Sequence, residues 1–178
     1  VKVTKLRMNK TSVDLIKGKT VQLKVTVTPG NATNKSVTWT SSNKRIATVT
    51  SNGLVKAVGT GTVTITAKAK DGSGKKVTCR INVYADSVES YVARIYTKAL
   101  GRDPEAAGLK YWVGEIKAGR KTAVQVAEMF FFAPEFTNKK LNNKEYVKVL
   151  YRTFMGREAD QGGLNYWIDR LNKGESRK

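Results

Sequence analysis

Two hydrophobic periods divide the chain. Up to about residue 84, apolar side chains recur at every second position in short runs. Val21, Leu23, Val25 and Val27 alternate with Gln22, Lys24 and Thr26 before Pro29-Gly30-Asn31 breaks the run. Val37 and Trp39 alternate with Ser36, Thr38 and Thr40. Ile46 and Val49 lead into Ser51-Asn52-Gly53, a hairpin signal, and Leu54 to Val58 ends at Gly59-Thr60-Gly61. Val63, Ile65, Ala67 and Ala69 form the next alternating run. Asp71-Gly72-Ser73-Gly74 then turns the chain into Val77, Cys79, Ile81 and Val83. Period two puts one face of a strand in a core, and several such runs between turns predict a β-sandwich. Trp39 is expected in that core, with Cys79 as a small buried hydrophobe.

After residue 85 the period becomes helical. Asp86 and Glu89 read as a capping box ahead of a stripe made by Val88, Tyr91, Val92, Ile95, Tyr96 and Ala99, which Gly101 ends. Asp103-Pro104-Glu105 opens a second helix, with Asp103 as its cap, bearing Leu109, Trp112, Val113 and Ile116 and closing at Gly119. Thr122 and Gln125 box a third, with Val124, Ala127, Phe130 and Phe131, which stops at Pro134. Asn142 and Glu145 cap a fourth with Tyr146, Val149, Leu150 and Met155. The last carries Leu164, Trp167, Ile168 and Leu171 and closes at Gly174.

The helical part is written twice. Gly101-Arg102-Asp103-Pro104-Glu105-Ala106-Ala107-Gly108-Leu109-Lys110-Tyr111-Trp112 returns 55 residues later as Gly156-Arg157-Glu158-Ala159-Asp160-Gln161-Gly162-Gly163-Leu164-Asn165-Tyr166-Trp167. Tyr91, Val92, Tyr96 and Gly119 align with Tyr146, Val147, Tyr151 and Gly174. The predicted architecture is therefore two domains: an all-β immunoglobulin-like sandwich over 1–84, then an all-α helical repeat domain over 85–178, repeating as 91–119 and 146–174. The second half has no counterpart of the third helix. The chain is thus expected to be a piece of something longer that continues past Lys178, or to have that face covered from outside. Otherwise Leu164, Trp167, Ile168 and Leu171 pack back on the first half or form an apolar patch.

Two family resemblances overlie this pattern. Val37-Thr38-Trp39-Thr40-Ser41-Ser42-Asn43, Ile46-Ala47-Thr48-Val49, Gly53-Leu54-Val55, Ala57, Gly61-Thr62 and Ile65-Thr66-Ala67 resemble the bacterial immunoglobulin-like group 2 family, across residues 3–84. That resemblance implies a secreted or surface protein, because such domains serve as stalk and adhesion modules and in wall-associated enzymes. It brings no active site. Leu100 to Trp112, with Ala127 to Phe136, resembles the domain-of-unknown-function family number 4214, across residues 88–178. The second half departs from its signature, with Met155 for Leu and Ala159 for Pro. This family often accompanies calcium-binding nonapeptide-repeat toxins, which implies export and no particular chemistry.

Charge adds a direction. The net charge is +19 and uneven: residues 1–84 hold sixteen Lys and Arg against Asp14 and Asp71, a net of +14, while the rest carries +5. Such a field favours polyanions. Scattered lysines on outward strand positions also discourage edge pairing. There is no His, and Cys79 is the lone cysteine, so an internal disulfide and the commonest general base and metal ligand are all excluded. No nucleotide loop, zinc pattern, nucleophile elbow or sequence-specific nucleic-acid fold is present, and no apolar run is long enough to span a membrane. No catalytic residue and no cofactor is expected.

Four carboxylates, Asp103, Glu105, Glu158 and Asp160, are calcium candidates or else helix caps paired with Arg102 and Arg157. Arg102 and Arg157 either bind a carboxylate or carbonyl within the fold or capture an anion. Tyr111 and Tyr166 lie off the main apolar stripe, so they stack on a sugar or partner, or pack on a neighbouring helix. The function expected is a non-catalytic exported module for display, attachment or adhesion at the bacterial surface or wall. Its partner would be a glycan, an anionic wall polymer or a surface protein. The alternatives are an accessory region of a larger surface enzyme and a calcium-stabilised structural module.

Overall fold

The period-two stretch folds as nine strands: β1 (Lys5–Met8), β2 (Ser12–Ile16), β3 (Thr20–Gln22), β4 (Val25–Thr28), β5 (Val37–Ser41), β6 (Ala47–Val49), β7 (Leu54–Ala57), β8 (Gly61–Ala69) and β9 (Lys76–Tyr84). They are seen in a computed structural model that describes all residues, 1–178. One sheet has the order β2-β9-β8-β5, a second β3-β7-β6, and β1 pairs with β4. β2 runs parallel to β9, and the other pairings are antiparallel. Inward strand residues, among them Val55, Ile65, Cys79 and Ile81, make one core together with Leu23, which lies between β3 and β4. A smaller cluster of Val3, Leu6, Ala32 and Ala69 lies beside it.

The alternating run from Val21 to Val27 is not one strand. It breaks at Leu23-Lys24 and feeds two sheets, β3 pairing with β7 and β4 with β1. Hydrogen bonds explain the break. The Leu23 amide donates to the Gly53 carbonyl, whereas the Lys24 amide donates to the Asn9 side chain. Gly53 is at φ +85, and a Cβ there would meet the Leu23 carbonyl oxygen at 2.6 Å and the Trp39 ring at 2.8 Å. Only glycine suits that turn. Cys79 is fully buried, and burial pushes its thiol up.

The helical-period stretch gives α1 (Ser87–Arg94), α2 (Ala106–Lys117), α3 (Ala123–Phe131), α4 (Pro134–Thr137), α5 (Asn143–Leu150) and α6 (Gln161–Asn172). The capping boxes at Thr122–Gln125 and Asn142–Glu145 both form. Two details differ from the sequence expectation. The stripe from Val88 to Ala99 is not one α-helix: α1 widens into a π-helical turn over Ile95–Leu100, and α5 does the same over Tyr151–Met155. In addition, α2 starts at Ala106 with Glu105 as its N-cap, not Asp103, and the Glu105 side chain makes no cap bond because Arg102 holds it. The chain divides into two compact units, Val1–Ser87 and Val88–Lys178.

Asp71 ties the first strand region down. Its carboxylate accepts hydrogen bonds from the Val3 and Ser73 amides. The Ser73 side chain first, and the Val3 amide second, lower its pKa to about 2 from an ordinary 3.8. A depressed carboxylate contributes stability that is present above its unfolded pKa and lost as pH falls through the folded one. Residues 1–84 contain only one other carboxylate, Asp14. Acid unfolding of the β region, followed by its own amide NMR signals, should therefore deepen between about pH 4 and pH 2. In D71N that step should vanish, at the cost of a lower melting temperature at pH 7. An unchanged acid profile in D71N would remove Asp71 from this role.

Candidate functional site

The Gly-Arg-acid stretch is built around a tyrosine. The π-helical turn after α1 ends at Gly101, whose φ of +80 reverses the chain and lets its amide donate to the Tyr96 carbonyl. Arg102 then folds back, its guanidinium 5.0 Å from the centre of the Tyr96 ring. The same guanidinium bonds both Glu135 oxygens, at 2.6 and 3.2 Å, and the Glu105 carboxylate. Arg102 thus joins the start of α2 to α4, and these bonds lower the pKa of both glutamates. The Tyr96 ring lies edge-on to Phe130, with ring centres 4.9 Å apart. A Cβ at Gly108 would meet that hydroxyl at 2.7 Å.

The second half reuses these parts. Gly156 reverses the chain at φ +63 after the second π-helical turn. Arg157 sits 5.3 Å from the Tyr151 ring centre and bonds Asp160 at 3.3 Å. Asp160 caps α6 by accepting from the Gly163 amide. Glu158 pairs with Arg152 at 2.8 Å. The backbone of Gly163 leaves room for the Tyr151 hydroxyl, as Gly108 does for Tyr96.

Of the carboxylates singled out as calcium candidates, Glu105, Glu158 and Asp160 are each bonded to an arginine. Asp103 is exposed beside the first of these pairs. No group of three or more His, Cys, Asp or Glu is placed to hold a metal ion. Tyr111 and Tyr166 are 55% and 53% exposed, each edge-on to the Trp that follows it in its own helix. Neighbouring helices therefore leave both open. Arg170 lies against Tyr166 and Trp167, within 5.4 and 5.8 Å of their ring centres.

A family model described as "Domain of unknown function (DUF4214)" matches residues 81–139 and again 127–178. The chain belongs to this DUF4214 family. Its first part, residues 2–80, matches the family described as "Bacterial Ig-like domain (group 2)". An uncharacterized protein of Clostridium acetobutylicum is 41% identical over 83 residues, which is 47% of this chain and 9% of that protein. The kappa-carrageenase of Pseudoalteromonas carrageenovora is 45% identical over 83 residues, 46% of this chain and 21% of the enzyme. The chain thus spans only 9% and 21% of the length of these two relatives. Among solved structures, the S-layer protein rSbsC(31-844) aligns over 48% of this chain and 13% of its own, at 30% identity and a TM-score of 0.42. No helix is long and apolar enough to cross a membrane.

The Ig-like domain also holds an open groove of about 370 Å³ that sequence reading missed. Trp39 forms part of its wall with Leu23, Val25 and Val37, and Lys24 and Lys35 stand at its rim. Trp39 is half-buried, packed against the core on one side. The signal was hidden because Lys24 reads as one outward position in an unbroken strand. The break after Leu23 is what places it near Trp39.

The Tyr96–Gly108 contact generates a test with a change of sign. Alanine in place of a helical glycine normally stabilises, by up to about 1 kcal/mol and less in a first turn such as that of Gly108. Overpacking a buried ring costs about 1–3 kcal/mol. Tyr96 is buried, with Phe130 edge-on to its ring and the Arg102 guanidinium against it, so the second effect should win and G108A should lower the melting temperature. In a Y96F background, G108A should instead stabilise. Tyr151 is only half-buried and can swing outward, so G163A should be milder than G108A. Thermal denaturation of the parent chain and these four variants, Y96F alone included, checks this, and a destabilising G108A in the Y96F background would contradict it.

Proposed function

We propose that the chain is a non-catalytic, exported module of the bacterial surface. In this reading the Ig-like domain holds an anionic glycan or wall polymer along the Trp39 groove, and the helical region is a duplicated unit that serves as its mount. The observation that carries the reading is the groove itself. An indole face suits the apolar face of a sugar ring, and Lys24 and Lys35 suit carboxylate, sulfate or phosphate groups on the same polymer. The net +14 of residues 1–84 would concentrate such a polymer at the domain. The arginines of the repeated motif are less suited to capture, because Arg102 is already bonded to two carboxylates.

A second reading has its own support. The kappa-carrageenase relative shares a stretch that is 21% of its length, as an accessory region of a larger enzyme would. The two readings agree on a polysaccharide context and differ in what adjoins this chain.

The test is retention of the whole chain on immobilised dextran sulfate. Charge reversal at the groove, K24E with K35E, should lower the eluting salt more than reversal of two exposed lysines of the helical region, K110E with K144E. Binding should also weaken steeply with ionic strength, since exposed charges are screened within about 10 Å at 0.1 M salt. Equal effects of the two double variants would show that only overall charge matters and would overturn the groove assignment.

A further inference from the structure

The helical region contains an apolar cavity of about 310 Å³, lined by Val147, Leu150, Tyr151, Phe154, Met155 and Trp167. Each lies 55 residues after one member of the set Val92, Ile95, Tyr96, Ala99, Leu100 and Trp112. That earlier set is sealed. Its first five members are buried, and all six pack in one cluster with Val126, Ala127 and Phe131 of α3. Phe130 of α3 lies edge-on to both Tyr96 and Trp112, with ring centres at 4.9 and 5.5 Å. The space filled by α3 in the first half is therefore the space left open in the second. Met155 is 65% exposed there and Trp167 45%, whereas Leu100 is 8% exposed.

A pair of hydrogen bonds marks where a covering helix would begin. In the first half the Tyr91 hydroxyl donates to the carbonyl of Ala123, the first residue of α3, at 2.8 Å. In the second half Tyr146, its counterpart, donates to the carbonyl of Arg177 at 2.7 Å. Arg177 falls one residue short of the position aligned with Ala123. The tyrosine thus holds the backbone after α6 at the point from which α3 departs in the first half.

We infer that this groove is the seat of an amphipathic helix with the pattern of α3: small or β-branched residues at the places of Val126 and Ala127, and an aromatic ring at the place of Phe130. The aromatic ring enters between Tyr151 and Trp167, as Phe130 enters between Tyr96 and Trp112. The smaller residues lie over Val147 and Leu150. The occupant is specified by shape and apolarity, since the groove is lined almost wholly by carbon. This inference is independent of the polyanion reading and uses none of its residues.

The test extends the chain by a second Val124–Asn138 placed directly after Lys178, which keeps the 55-residue register. Trp167 is followed by its indole NMR signal, assigned by its loss in W167F, and by acrylamide quenching. In the extended chain Trp167 should become shielded, and the helical region should melt about 5 °C higher or more. With Phe130→Ser in the appended segment only, both changes should be lost. Three results would overturn the inference: Trp167 no better shielded in the extended chain; equal shielding with the serine variant; or Trp167 already shielded in the unextended chain through dimers seen by sedimentation, which would make a second copy's own groove the occupant.

Discussion

The helical region depends on the packing of one tyrosine ring. Tyr96 needs room for its hydroxyl, and Gly108 is the residue of α2 that leaves it. Its ring meets Phe130 of α3 on one side and the Arg102 guanidinium on another. Arg102 in turn grips Glu135 at the start of α4 and Glu105 ahead of α2. Gly101 supplies the left-handed reversal that brings Arg102 back over the ring. The repeated motif is therefore a packing device. Its conspicuous charges are engaged with one another, and its glycines make space or turn the chain.

The second half shows what the device does when part of it is missing. Gly156, Arg157 and Gly163 surround Tyr151 much as their counterparts surround Tyr96. No helix lies over this ring in the way α3 lies over Tyr96, and no Glu135 receives Arg157, which bonds only the local Asp160 and the Glu158 carbonyl. Leu164 is buried and Leu171 packs on the shared core, so the inner side of α6 is satisfied. Trp167 on its other side and Met155 of the preceding π-helical turn stay exposed, while Phe154 is only partly covered by Phe131 of α3. Burial, and with it local stability, is unequal between two stretches of similar sequence.

Much of this was legible in the residue pattern. The period-two runs located β5 to β9, the Thr122–Gln125 and Asn142–Glu145 pairs marked two helix starts, and Gly101 and Gly156 marked the stops. Local chemistry decides those features, and local chemistry is what a sequence displays. Three features were not legible, because distant partners decide them. The Val21–Val27 run keeps perfect alternation while its hydrogen-bond partner changes from β7 to β1. The π-helical turns carry the same apolar residues as an α-helical stripe, so periodicity over five or six residues does not separate them. The Trp39 groove joins side chains from separate strands with Lys35 from a loop. Off-stripe placement left open whether Tyr111 and Tyr166 pack on a neighbouring helix, and the fold leaves both more than half exposed.

Residue-resolved native-state hydrogen exchange tests the unequal burial most directly. Amides of Val92–Leu100 are roofed by α3 and should exchange only through openings close to global unfolding of the helical region. Amides of the aligned Val147–Met155 lie beneath the open groove and should exchange through smaller local openings, at least about tenfold faster. Equal protection of the two segments would contradict the account, because it would mean that α3 contributes nothing to the first half that the second half lacks.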